Sequence, residues 1–137
     1  MNNFKSKQLS SKNNRMQNSP VDTPEDTHIA TFSFRFLDHK QINKYQQNDF
    51  NEIIKNLITI SSYTWRDIIQ LGKNGIGYEL IPLSELKCPI PKDDLFNQRD
   101  KATVFHKQGD KIPLIGFKVN DVFYLFYLDR GLKAYKH

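Results

Sequence analysis

Residues 112–131 read IPLIGFKVNDVFYLFYLDRG and contain two apolar stretches separated by Asn120-Asp121. An Asn-Asp pair between two β-prone stretches is typical of a tight hairpin loop, so residues 112–119 and 122–128 are predicted to form antiparallel strands. The second stretch is apolar at nearly every position, which is typical of a strand buried on both faces in the centre of a sheet. This hairpin therefore predicts a sheet around which the rest of the chain is arranged.

Two helices are predicted between an N-terminal strand and this hairpin. In residues 28–37, successive side chains fall alternately on two faces, one of which is mostly aromatic. This period of two indicates a strand. Residues 49–60 place apolar side chains at helical spacing, and Asp49 followed by Glu52 resembles a capping box. Residues 64–71 form a second, shorter amphipathic helix, which a glycine ends.

Further short strands are predicted after the helices. Residues 78–81 are apolar apart from one glutamate, and residues 102–107 are β-prone, whereas residues 82–101 contain three prolines and are predicted to be loop with one helical turn. Residues 132–137 are a candidate for a last short strand. The element order β-α-α-β-β-β predicts an α+β fold, with an antiparallel sheet of four to five strands and both helices on one face.

Composition places this fold in a small, basic protein. The chain has 137 residues, a formal net charge of +5 and one cysteine, Cys88. No apolar run is long enough for a transmembrane helix or a signal peptide, so we expect a soluble, cytoplasmic protein. One cysteine excludes an internal disulfide, and no zinc-ligand spacing or glycine-rich phosphate loop occurs, so no metal or cofactor is expected.

The chain is predicted to divide near residue 28. Residues 1–27 are polar and almost free of aliphatic side chains, so they are predicted to form a disordered tail, with a basic binding arm as the functional alternative. Residues 28–137 are predicted to form one α+β domain. Within that domain, residues 101–137 hold seven basic and three acidic residues, so the positive charge is concentrated in the C-terminal strands.

The candidate site residues lie in or near these strands. A concave sheet face lined by Lys, Arg, His and Tyr would suit a phosphodiester, because cations hold phosphates and acid/base groups can move protons at the 2′-hydroxyl and the leaving oxygen. Each side chain also has an ordinary structural interpretation, such as a solvated lysine or a histidine that accepts a loop hydrogen bond. The candidate catalytic residues are Glu79, His106, Tyr135 and His137, and the candidate RNA- or phosphate-binding residues are Lys107, Lys111, Lys118, Arg130 and Lys133.

The element order, the basic sheet and the ending GFKVNDVFYLFYLDRGLKAYKH resemble the RelE/ParE superfamily of small bacterial toxins. The resemblance implies a ribosome-dependent mRNA endonuclease that an antitoxin neutralises, as in the RelE branch, whereas the ParE branch targets gyrase. It would give acid/base and phosphate-binding roles to Glu79, His106, Lys111, Arg130, Tyr135 and His137. RelE-like nucleases usually carry arginines on the central strands, where this chain has lysines.

The chain also resembles a group of uncharacterised small proteins from bacteria and mobile elements. The shared features are a helical Trp65, the turn formed by Gly75, Gly77, Tyr78 and Glu79, and the ending LDRGLKAYKH. This resemblance implies no function. Two function classes therefore stay open: a toxin-like ribonuclease, and a non-catalytic protein- or nucleic-acid-binding module of a mobile element or phage-defence locus.

Overall fold

The hairpin predicted from residues 112–131 forms two interior strands of a five-stranded sheet. The computed structural model describes residues 24–137, in which the strand order is β1-β5-β4-β3-β2. The strands are β1 (Thr31–Ser33), β2 (Tyr78–Pro82), β3 (Lys101–Phe105), β4 (Leu114–Val119) and β5 (Val122–Leu128), and the helices are α1 (Gln47–Ser61) and α2 (Trp65–Gly75).

The α+β class and the order of helices and strands are confirmed, and the sheet is mixed. The β2–β3, β3–β4 and β4–β5 pairs are antiparallel, whereas β1 pairs with β5 in parallel. A tight turn forces antiparallel pairing only between consecutive strands. Because the whole domain separates β1 from β5 along the chain, no turn fixes their relative direction.

The two helices cover one face of the sheet and share a core with it. Trp65, at the start of α2, is fully buried, and its indole Nε1 donates a hydrogen bond of 2.8 Å to the carbonyl of Asp121 in the hairpin turn. Its ring lies 6.5 Å from that of Phe123 on β5. This contact joins the helical layer to the central hairpin, and it places Trp65 in the core.

The helix ends differ in detail from the sequence prediction. Helix α1 begins before Asp49, whose carboxylate accepts a 2.9 Å hydrogen bond from the backbone N–H of Gln46. This bond is the main cause that holds the pKa of Asp49 below its usual value. Glu52 does not complete the predicted capping box, because it accepts the backbone N–H groups of Lys111 and Ile112 at 2.9 and 2.8 Å.

The second helix follows the prediction more closely. The Thr64 hydroxyl caps it by accepting the backbone N–H of Asp67 at 3.1 Å. Gly72 breaks the helical dihedrals with φ of 63°, and one further turn follows it.

The other face of the sheet is buried as well, and this corrects the expectation of an open basic surface there. The loop between β2 and β3 packs on it through two 3₁₀ turns, Leu83–Glu85 and Asp94–Phe96. Residues 132–137 form no strand but cross the same face, where the carbonyl of Ala134 accepts the N–H of Lys87 at 2.7 Å. We call this the loop face.

The described residues begin with a 3₁₀ turn, Pro24–Thr27, that packs on the domain. The sequence predicts these four residues to be part of the tail. Asp26 in this turn is fully buried, and its carboxylate lies 2.8 Å from the Lys118 ammonium. The rest of the predicted tail, residues 1–23, lies outside the described residues. Between residues 24 and 137, no helix has the length and apolarity needed to cross a membrane.

Two glycines have positive φ, and the space around them differs. A Cβ at Gly77 (φ +80°) would lie 2.4 Å from backbone atoms of His106 and Lys107, whereas a Cβ at Gly109 (φ +95°) would meet nothing within 4 Å. We expect Gly109→Ala to lower the free energy of unfolding by about 1 kcal/mol, from the backbone conformation alone. Gly77→Ala should cost at least about 3 kcal/mol, because the clash is with backbone. Equal losses in urea unfolding would contradict the packing at Gly77.

Candidate functional site

The four candidate catalytic residues meet on the loop face. Glu79 lies on β2, His106 follows β3, and Tyr135 and His137 lie on the crossing C-terminal segment. The ring centroids of Tyr135 and His137 are 4.1 Å apart, and those of His137 and His106 are 5.2 Å apart in an edge-to-face arrangement. We call these four residues the C-terminal cluster.

The buried carboxylate of Asp129 holds the C-terminal segment in place. Asp129 ends β5 and is 2% exposed. Its carboxylate accepts the backbone N–H of Lys133 at 3.0 Å and that of Ala134 at 3.1 Å, and it lies 3.4 Å from Nε2 of His137. This carboxylate therefore both fixes the turn after β5 and orients the imidazole of His137.

The imidazole of His106 is fixed from the other side. Its backbone N–H donates to the carbonyl of Gly77 at 2.9 Å, and its Nε2 lies 3.0 Å from the carbonyl of Asp110. A carbonyl only accepts, so this contact requires the proton on Nε2 and makes Nδ1 the acceptor in a neutral ring. Nδ1 has no hydrogen-bond partner among residues 24–137 and is therefore available as an acceptor.

Tyr135 and Glu79 support the cluster from within. Tyr135 is 5% exposed, and its hydroxyl makes no hydrogen bond of good geometry with the residues that the structure describes. Burial raises the pKa of Tyr135, and the negative charges of Glu79 and Asp129 raise it further. Glu79 also lies 3.8 Å from the ammonium of Lys73. The neutral hydroxyl of Tyr135 is thus enclosed, whereas His106 is half-buried and the side chain of His137 is 22% exposed.

The five candidate phosphate-binding residues are dispersed. Lys107 follows His106 directly, and Lys133 lies on the C-terminal segment, so both are near the cluster and exposed. Arg130 instead pairs with Asp49 of α1, with 3.1 Å between Nε and the carboxylate. Lys111 lies beside the same helix through its backbone bond to Glu52, and Lys118 is paired with buried Asp26.

No sequence pattern singled out Asp129 or Lys73 as a member of this site. The signal for Asp129 is a charged residue that ends an apolar strand and precedes Arg130-Gly131, where an aspartate often accepts backbone N–H groups of the following turn. Within the described part of the chain, no group of three His, Cys, Asp or Glu side chains could hold a metal ion. Burial raises the pKa of Cys88 to about 11, so its thiol stays protonated at physiological pH and is a poor nucleophile.

Comparison with protein-family models, curated proteins and solved structures found no significant match to this chain. These comparisons neither support nor contradict the resemblance to the RelE/ParE superfamily.

Removal of the Asp129 carboxylate should release the C-terminal segment. We expect Asp129→Ala to lower the free energy of unfolding by about 3 kcal/mol, because it leaves the buried N–H of Ala134 and the N–H of Lys133 without acceptors. Amide hydrogen exchange at these two residues should accelerate well beyond the change in global stability. The exposed Asp100 serves as the control, and an Asp100→Ala variant with the same exchange pattern would contradict the role of Asp129.

Proposed function

We propose that this protein is an endoribonuclease that cleaves RNA by acid/base catalysis with two imidazoles, His106 and His137. The observation that carries the proposal is the 5.2 Å approach of these two rings, which come from distant parts of the chain. Each ring also has a separate orienting contact, with the carbonyl of Asp110 and the carboxylate of Asp129. Two oriented imidazoles within reach of one phosphodiester can remove one proton and deliver another.

The contacts of the two rings support a different role for each of them. In the neutral tautomer that the contact with Asp110 favours, Nδ1 of His106 is the acceptor, so it takes the proton of the 2′-hydroxyl as the 2′-oxygen attacks phosphorus. His137 has a carboxylate partner that balances the charge of an imidazolium, and it protonates the departing 5′-oxygen through the ring nitrogen that does not face Asp129. The products are a 2′,3′-cyclic phosphate and a 5′-hydroxyl. We assign the scissile phosphate to Lys107 and Lys133, which are exposed and close in sequence to the two histidines.

Tyr135 and Glu79 are positioning residues in this scheme. Tyr135 stacks beside His137, with 4.1 Å between ring centroids, and so restricts its rotation. Its enclosed hydroxyl does not touch the substrate. The resemblance to the RelE branch supports the further proposal that the substrate is mRNA on the ribosome. That proposal places the protein in the cytoplasm and gives it an antitoxin as partner.

Histidine variants test the proposed chemistry. We expect His106→Asn and His137→Gln each to lower the rate of RNA cleavage by about 10² to 10⁴, because each removes one proton-transfer group. Tyr135→Phe should have a much smaller effect, because it keeps the ring that contacts His137. The assay measures single-turnover cleavage of an mRNA with and without translating ribosomes. His39→Gln is the matched control, because His39 is exposed on the 3₁₀ turn His39–Ile42. Full activity in both cluster variants would contradict the two-imidazole mechanism.

A second candidate function, a non-catalytic binding module, is favoured by one exposed stripe on α1. Phe50, Ile54 and Ile58 follow each other at four-residue spacing, and they are 36%, 52% and 63% exposed. Residues four apart lie on one side of a helix, so this stripe is a continuous apolar surface of the kind that often contacts another protein.

Induced expression in a bacterium distinguishes the two functions. If the protein is a nuclease, growth arrest disappears with His106→Asn or His137→Gln and persists with Ile54→Lys or Ile58→Lys. If the protein acts by binding through α1, the lysine variants abolish growth arrest and the histidine variants retain it. Absence of growth arrest from the unaltered chain would favour the binding module.

A further inference from the structure

A cavity lies on the helical side of the sheet, where β3 and β4 separate. Their ladder consists of three pairs and ends at Thr103 and Gly116, although β3 continues beside β2 as far as Lys101 and β4 continues beside β5 as far as Val119. The space beyond the last pair holds about 400 Å³. This volume is within the range of small-molecule sites in proteins.

Two cations at this cavity have no acidic partner. Arg99 and Lys101 both line it and are exposed, and neither has a carboxylate within 4.0 Å among residues 24–137. Lys118 also lines the cavity, but the buried carboxylate of Asp26 compensates its charge at 2.8 Å. Asp100 is the acidic residue of the lining, so the cavity retains an excess of positive charge.

Another part of the cavity lining is apolar and includes the buried tyrosine Tyr78. Ile69 of α2, together with Tyr78 and Leu80 of β2, forms this apolar wall, and Leu80 is 42% exposed although it lies in a strand. Burial and the charge of Asp26 raise the pKa of Tyr78 to about 12, so its hydroxyl stays a neutral donor at physiological pH.

The loop that carries Arg99 is held in a strained conformation beside the cavity. Gln98 has φ of 66°, a left-handed conformation that costs a residue with a Cβ about 1 kcal/mol or more. Gln98 also lines the cavity, so its side-chain amide is available to a bound molecule.

We propose that this cavity binds a small anion with a flat apolar body, of the size of a nucleoside monophosphate. The phosphate lies against Arg99 and Lys101, since guanidinium and ammonium groups are strong phosphate donors. The base lies against the apolar wall, where Leu80 is exposed beside the largely buried ring of Tyr78. The site is separate from the C-terminal cluster, because Glu79 and the histidines lie on the loop face, and it does not depend on the proposed nuclease activity.

A titration of the full chain with AMP, followed by amide chemical shifts, tests this site. We expect saturable shifts at residues 98–103 and 118–120, with a dissociation constant below about 1 mM. Adenosine and inorganic phosphate, titrated separately, should each bind at least about tenfold more weakly than AMP, because each fills half of the site. Phosphate that binds as tightly as AMP would overturn the nucleotide-sized assignment.

Matched variants locate the binding. Arg99→Ala and Lys101→Ala should each weaken AMP binding by about tenfold, because each removes a charge-assisted hydrogen bond, and both residues are exposed, so the fold is retained. Lys92→Ala removes an exposed cation outside the cavity and should leave binding unchanged. His137→Gln should also leave it unchanged, which separates this site from the nuclease proposal. The inference is overturned by the absence of shifts at residues 98–103 with 10 mM AMP, or by an equal loss in the Lys92 variant.

Discussion

The buried carboxylate of Asp129 is the interaction on which the candidate site depends. The last residues of the chain have no strand to pair with, so their backbone groups must find other partners on the loop face. The carboxylate of Asp129 accepts hydrogen bonds from two of these groups, the backbone N–H groups of Lys133 and Ala134. It also lies 3.4 Å from Nε2 of His137. Together with the 2.7 Å hydrogen bond from the N–H of Lys87 to the carbonyl of Ala134, this carboxylate holds the segment that brings His137 within 5.2 Å of His106.

Burial of both sheet faces decides where chemistry can occur. The helices cover one face, and the loop segment with residues 132–137 covers the other, so residues 24–137 present no broad basic sheet surface. The polar residues of the two candidate sites lie near the ends of the strands. The C-terminal cluster occupies one end, beside His106 after β3, and the cavity at Arg99 and Lys101 occupies the other, before β3. The two sites therefore lie at opposite ends of β3 and share no residue.

Local patterns in the sequence predicted the elements but not their long-range pairing. The Asn120-Asp121 hairpin, the apolar stripe of α1 and the Thr64 cap each depend on residues close together in the chain. The parallel pairing of β1 with β5 and the Lys118–Asp26 ion pair join residues about 90 positions apart. The count of charges grouped Lys118 with the other basic residues of the C-terminal strands. In the structure, however, Lys118 forms an ion pair with buried Asp26, which lies in the predicted tail. The sequence could not predict that the residues of the C-terminal cluster meet, because their contacts depend on the path of the chain after Asp129.

In the proposed mechanism, His106 and His137 act as a proton acceptor and a proton donor on one RNA phosphodiester. The chemical ends of the cleaved RNA test it most directly, by mass spectrometry of a short synthetic RNA or of ribosome-bound mRNA. Attack by the 2′-hydroxyl predicts a 2′,3′-cyclic phosphate on one fragment and a 5′-hydroxyl on the other. Fragments with a 3′-hydroxyl and a 5′-phosphate, or RNA left intact under both conditions, would contradict the mechanism.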